Sequence, residues 1–126
     1  MSPLLVLNAG SSSLKYALFS ESDPPVRQAS MRLDLGSGWG STRSLAVTIR
    51  EIASKHPFTS VGHRIVHGGP RFSDPERLSP AMLSELRRIS PFDPEHLPVQ
   101  IALLEACEEV FPGIPQVACF DTAFHR

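Results

Sequence analysis

The run Val6-Leu7-Asn8-Ala9-Gly10-Ser11-Ser12-Ser13-Leu14-Lys15-Tyr16-Ala17-Leu18-Phe19 places a small, hydroxyl-rich turn between two apolar segments. Residues 4–7 and 16–19 are short and β-prone. The chain is therefore expected to open as a β-hairpin with a polar tip, Gly10 giving the reversal its backbone freedom. Three adjacent serines add nothing to a core. They present hydroxyls and thinly covered backbone N–H groups beside the cationic Lys15, a combination that suits a phosphate. The same residue types are also ordinary turn formers. Nor is the run a G-x-x-x-x-G-K-[ST] loop, since it holds one glycine, its lysine follows the serines and no helix is expected after it. The residues alone leave both readings open.

A chain of 126 residues has room for one domain with its own core, and two would be cramped. Twelve Lys and Arg against 13 Asp and Glu leave a net charge of −1. That gives no basic field, so nucleic acid is not the expected partner. The apolar stretches fall far short of the roughly 18 to 20 residues that span a membrane. The first residues lack the basic start of a secretory signal, and the expected setting is the cytoplasm. Cys107 and Cys119 lie in apolar segments, outside any C-x-x-C or Cys/His pattern, and read as reduced core residues.

Along the chain, residues 21–25 read as a turn and residues 26–35 as a third strand. Residues 36–41 are expected to form a flexible linker in which Trp39 either caps the core, the favoured reading, or contacts something else. A helix capped by Ser41 or Thr42 should run to about Lys55, with Leu45, Ile49 and Ile52 at helical spacing, until His56-Pro57 ends it. Residues 60–67 alternate as a strand, with Val61, His63, Ile65 and His67 on one side and Gly62, Arg64 and Val66 on the other. A guanidinium in a strand interior needs a partner, and an internal carboxylate, a solvent-facing edge and a bound anion all qualify. Ser79-Pro80 is a helix start, followed by a buried stripe of Met82, Leu83, Leu86 and Ile89. After a loop over residues 90–98, a second helix should turn Ile101, Leu104, Ala106, Cys107, Val110 and Phe111 inward and leave Glu105, Glu108 and Glu109 wet. Residues 116–120 form the last strand. Asp121 at its end either caps a following helix or places a carboxylate at the mouth of the sheet.

Asn8-Ala9-Gly10-Ser11-Ser12-Ser13-Leu14-Lys15 resembles the opening phosphate loop of the acetate and propionate kinase family. Val61-Gly62-His63-Arg64-Ile65-Val66-His67-Gly68-Gly69 is similar to that family's second signature, and Phe120-Asp121-Thr122-Ala123-Phe124-His125 to a third, in the family's order. The resemblance implies an α/β fold, the N-terminal half of an actin-like, sugar-kinase or Hsp70-type ATPase with a ribonuclease H-like mixed sheet and flanking helices. It implies acetate kinase activity, the reversible conversion of ATP and acetate to ADP and acetyl phosphate, with propionate or butyrate as other acceptors. It assigns Arg64 to the acyl carboxylate, which a planar charged fork grips in two parallel hydrogen bonds. Lys15, Ser11 and Ser13 are assigned to the nucleotide phosphates, Asn8 to Mg2+ through its water shell, and Asp121 to catalysis beside the transferring group. A carboxylate acceptor has no proton to lose, so a general-base role is the weaker part of that last assignment. His63 and His67 read as structural or hydrogen-bonding residues of the site wall and not as metal ligands. The full-length family is expected to be homodimeric.

Two departures stand out. The family usually carries Ala-Pro-Leu-His-Asn-Pro where this chain has Ser90-Pro91-Phe92-Asp93-Pro94-Glu95-His96, so Asp93 falls at the histidine position and His96 is the other candidate for it. The family also has a larger second domain with the nucleotide base pocket. The expectation is that residues 1–126 form a single N-terminal acyl-substrate- and phosphate-binding domain, a partial chain with little or no turnover alone. A non-catalytic remnant that keeps the fold as a binding module is the competing expectation.

Overall fold

The structure is a computed structural model that describes residues 3–10, 13–20, 26–34, 42–66 and 74–120. Alternation builds its first strands. In β1 (Leu4–Ala9), Leu5, Leu7 and Ala9 are buried, and in β2 (Ser13–Phe19), Leu14, Tyr16 and Leu18 are. The two pair antiparallel, with Leu7 opposite Tyr16 and Asn8 opposite Lys15. The hairpin is longer than the apolar runs suggested, because Asn8 and Lys15 belong to the ladder and not to the turn. Its tip closes with the Gly10 N–H donating to the Ser13 carbonyl at 2.8 Å. Gly10 does not draw on a glycine's extra backbone freedom in this reversal. A Cβ there would meet Ser13 Oγ at 3.5 Å, an ordinary contact. Ser11 and Ser12 lie outside the described residues, as do the turn at 21–25 and the linker with Trp39.

β3 (Arg27–Asp34) continues the meander antiparallel to β2. Helix α1 (Thr42–Lys55) follows, burying Leu45, Ala46, Ile49 and Ile52 at 3- and 4-residue spacing. β4 (Ser60–Ile65) then enters beside β1 and parallel to it. β5 (Glu76–Arg77) is a two-residue strand with no alternation, and sequence reasoning missed it. Helix α2 (Pro80–Ile89) starts as expected, with Ser79 Oγ accepting the Met82 N–H at 3.2 Å and proline in the first turn. Its buried Glu85 is satisfied by Arg88, which reaches both carboxylate oxygens at 2.9 and 2.7 Å. A 3-10 turn over Ser90–Phe92 leads to α3 (Leu97–Val110), and β6 (Gln116–Phe120) closes the described chain at the bounds expected from sequence.

The sheet order is β3-β2-β1-β4-β6-β5, with β1, β4 and β6 parallel. Core side chains from every long strand point to one face. Leu5, Leu7, Leu14, Leu18 and Val61 pack with α1 and with Leu103, Ala106 and Cys107 of α3 in one cluster, and Ile65, Ala118 and Phe120 pack with α2 and with Ile101 and Leu104 of α3 in the other. Helix α3 sits between α1 and α2 and contributes to both clusters, which is why it is buried nearly all round and its sequence shows no clean stripe. All three described helices thus cover the same side. The opposite side carries Leu4, Val6, Asn8, Lys15, Gly62, Arg64, Val117 and Cys119. Among the described residues, no helix is long and apolar enough to cross a membrane.

Candidate functional site

Register, not sequence proximity, assembles the candidate site. Backbone pairing of β1 with β4 runs from Leu4 beside Ser60 to Leu7 beside His63. The next residue of each strand on the face away from the helices is Asn8 and Arg64. Lys15 lies across from Asn8, Arg32 across from Lys15, and Cys119 across from Arg64. A single row therefore reads Arg32, Lys15, Asn8, Arg64, Cys119. At about 4.8 Å between strands, Lys15 and Arg64 stand roughly 10 Å apart at their backbones with a neutral amide between them. Arg32 pairs with Asp34 at 3.0 Å, and Arg32, Lys15 and Arg64 are all exposed on the open face.

The row crosses the sheet where its connections diverge. β1 turns away to β2 on one side, while the chain leaving β4 returns through α2 and α3 to β6 on the other. Ligands of open α/β sheets gather at such a switch point, beyond the carboxyl ends of the strands. Alongside it, Gly62 leaves a hollow of about 360 Å3 lined by Leu4, Val6, Gly62, His63, Arg64 and Cys119. An apolar hollow ending at a guanidinium is a shape that receives a short carboxylate or its phosphorylated form.

His63 does not share the face of Arg64. Its ring lies on the helix side, fully buried, with Nε2 2.7 Å from Gln116 Oε1. Gln116 Nε2 in turn donates to Glu108 Oε2 at 3.0 Å. A carboxylate can only accept, so the Gln116 amide is oriented with its oxygen towards the ring, and the His63 proton sits on Nε2. Nδ1 is then a buried acceptor with no partner among the described residues. Burial pushes the His63 pKa down from 6.5 to about 4, only partly offset by the Gln116 hydrogen bond. The histidine expected in the site wall is therefore a neutral core residue. His67 lies outside the described residues.

A pH dependence follows. The unfolded chain binds a proton at His63 below pH 6.5 and the folded chain does not until about pH 4, so stability falls as pH drops through that window. The loss should build towards about 3 kcal/mol. Denaturant melts of the wild type and His63→Gln at pH 7, 6 and 5 should diverge, the variant losing less, and parallel curves would sink the assignment. Neither cysteine is a nucleophile here. Burial, helped by Glu108, pushes Cys107 up to about 12, and burial raises Cys119 as well, so both thiols stay protonated near neutrality.

A model of the acetokinase family matches residues 26–126. The chain belongs to that family. It is 39% identical to an acetate kinase of Deinococcus radiodurans over 97% of this chain, and it covers 36% of that enzyme. A propionate kinase from Francisella tularensis superposes over 99% of this chain and 38% of its own, with a TM-score of 0.77 at 31% identity. The Porphyromonas gingivalis acetate kinase superposes over 98% and 38%, with a TM-score of 0.74 at 27% identity. The acetokinase chain described here thus spans little more than a third of these relatives, and its mixed α/β architecture is of the actin-like ATPase type.

Of the residues expected in this acetokinase site, Asn8, Lys15 and Arg64 share the row. Ser13 stands at the start of β2, two residues before Lys15 and on the same face. Ser11 and Asp121 lie outside the described residues. Sequence reasoning missed Arg32, whose place depends on register, and Gln100. From α3, Gln100 accepts the Val66 N–H on Oε1 at 3.0 Å and donates through Nε2 to the Ala9 carbonyl at 3.3 Å. A lone glutamine among Ile101, Ala102 and Leu103 was the available signal, because a buried amide must find partners. In the divergent loop, His96 Nδ1 lies 3.1 Å from Asp93 Oδ1, so the two candidates for the family's histidine position are paired with each other. No group of three or more His, Cys, Asp or Glu among the described residues could hold a metal. The one neutral oxygen donor of the row, Asn8, stands between two cations. Those charges repel a free divalent ion, so magnesium could stand there only together with phosphates that offset them, keeping most of its waters.

Proposed function

We propose that this chain holds the acyl-phosphate end of a phosphoryl transfer between ATP and a short carboxylate, acetate in the first instance. The observation that carries this is the placement of exposed Arg64 on the same face and row as Asn8 and Lys15, at the switch point of an acetokinase sheet. Phosphoryl transfer asks a protein for alignment and charge neutralisation more than for covalent help. In the forward direction a carboxylate oxygen attacks the γ-phosphorus, the bond to the leaving ADP oxygen breaks, and no proton needs to move. The difficulty is bringing two anions together.

Arg64 answers that difficulty on the acyl side, its fork fixing the direction in which the free carboxylate oxygen points. Lys15, with Ser13 and Ser11, takes the phosphates. Magnesium bound with the nucleotide supplies further neutralisation of the phosphate oxygens, held by Asn8 through water. Asp121 takes its place by the family motif, beside the transferring group. The hollow next to Arg64 is large for one methyl group, so propionate and butyrate are within the substrate class. The cytoplasm is the proposed setting, with ATP, ADP and acetyl phosphate as the small-molecule partners and a homodimer as the assembly of the longer family members. Since the chain covers 36% of the Deinococcus relative, binding without appreciable turnover is the behaviour proposed for it alone.

The test is a titration of the chain with acetyl phosphate, following the backbone amides by NMR, together with an assay of acetyl phosphate formation from ATP and acetate. Saturable shifts centred on Asn8, Gly10, Lys15 and Val66 with background turnover are expected. Shifts scattered away from the row, or none, would refute acyl-phosphate binding, and robust turnover would refute the need for more chain.

A further inference from the structure

Beyond Leu7 and His63 the ladder between β1 and β4 does not simply fade. The Val61 N–H donates to the Pro115 carbonyl on the β6 side, so by alternation Val66, an odd number of residues on, directs its N–H towards β1. In a continued parallel ladder that N–H would bond directly to the Ala9 carbonyl. These are the two groups that Gln100 holds, the Val66 N–H on Oε1 and the Ala9 carbonyl on Nε2. A side-chain amide occupies the place of the next rung.

We infer that Gln100 is a spacer: its carboxamide, inserted between β1 and β4, keeps their ends apart and so sets the distance between the Gly10 turn and Arg64. The amide is well suited to this. It is flat, it offers one donor and one acceptor in the sense the two backbone groups require, and at 3% exposure it has no competing water. Its own backbone is fixed within α3, between the two core clusters, so its reach is fixed by packing. The gap it fills lies between Ala9 and Val66, one residue beyond Asn8 and two beyond Arg64, so it sets how far the strand ends splay just past the row. A pure core-filling role would need no polar head, and a pure hydrogen-bond role could have been met by the two backbone groups alone. Gln100 bonds the backbone of the strand ends, and it acts as a positioning residue. The identity of the ligand rests on the acyl-phosphate assignment above, whereas the spacing does not.

Gln100→Ala removes the wedge and lets the strands close. A through-hydrogen-bond NMR coupling between Val66 N and Ala9 C′, absent in the wild type, should appear in this variant. Acetyl phosphate affinity should fall about tenfold to a hundredfold, the scale on which small misplacements act. Gln100→Met keeps the width without the hydrogen bonds. It should lower Tm, show no coupling, and bind within about threefold of wild type, well short of the loss a misplacement brings. Met82→Ala, buried in α2 away from the row, provides a melting control that should leave affinity unchanged. The inference is overturned if Gln100→Ala shows no coupling, if it shows the coupling with unaltered affinity, or if Gln100→Met loses as much affinity as Gln100→Ala. Should the wild type bind no acetyl phosphate, the functional assignment falls, and the appearance or absence of the Val66–Ala9 coupling still decides the spacer.

Discussion

Replacing Arg64 with alanine should weaken acetyl phosphate binding by roughly a hundredfold, about 3 kcal/mol, while leaving the fold intact. The magnitude is that of charge-assisted, two-pronged hydrogen bonds to an anion, stronger than neutral ones. Stability should change by less than about 1 kcal/mol, because the side chain is exposed and any pair it makes is solvated. Arg64→Lys is the informative companion. A lysine restores the charge and not the fork, so it should recover only part of the affinity. Calorimetric titration of the three proteins measures this, with Tm as the check on folding. A binding module that merely retains the fold would be indifferent to all three, and equal affinity across the series would remove the acyl-carboxylate role from Arg64.

Phe120→Ala should be the most damaging single truncation, costing about 3 to 5 kcal/mol. Phe120 is fully buried, packs in the cluster with Met82, Leu86 and Leu104, and sits opposite Ile65 where β6 meets β4. A domain of this size commands about 5 to 15 kcal/mol in total, so the variant should lie near the edge of folding at 37 °C. Urea melts should show a lowered midpoint with an unchanged slope. Phe92 supplies the contrast. It is 80% exposed, and Phe92→Ala should stay within about 0.5 kcal/mol of wild type. A loss below about 1 kcal/mol for Phe120→Ala would mean that the second cluster collapses around the gap far more readily than close-packed cores do.

Much of this architecture was legible because its elements carry local signals. The alternation of Leu5, Leu7 and Ala9 against Leu14, Tyr16 and Leu18 announces the hairpin, Ser79-Pro80 announces α2, and Gln116 to Phe120 reads as an apolar strand. β5 was invisible because Glu76 and Arg77 owe their strand geometry to pairing with Ala118 and Val117 and have no pattern of their own. The candidate site divides in the same way. Arg64 could be singled out because a guanidinium in an apolar strand is costly unless something answers it. That Asn8, Lys15 and Arg32 stand in line with it depends on register across four strands, which no local window contains. Gln100 was hidden by a related limit. Its partners are 91 and 34 residues away, and only the crossing of α3 over the strand ends brings them together. His63 was placed on the correct side by alternation, but the resemblance drew it into the site wall, and the Gln116 partner that keeps it in the core lies 53 residues on.

The two outer strands have a consequence for solubility. β3 turns Arg27, Gln28, Ser30, Arg32 and Asp34 to solvent, and β5 is two charged residues long. An unpaired strand edge is a template on which other chains can add and grow into fibrils, and charge or brevity at that edge discourages the addition. The rim of this sheet is thus ill-suited to seeding amyloid, even while one broad side of it stands clear of the described helices.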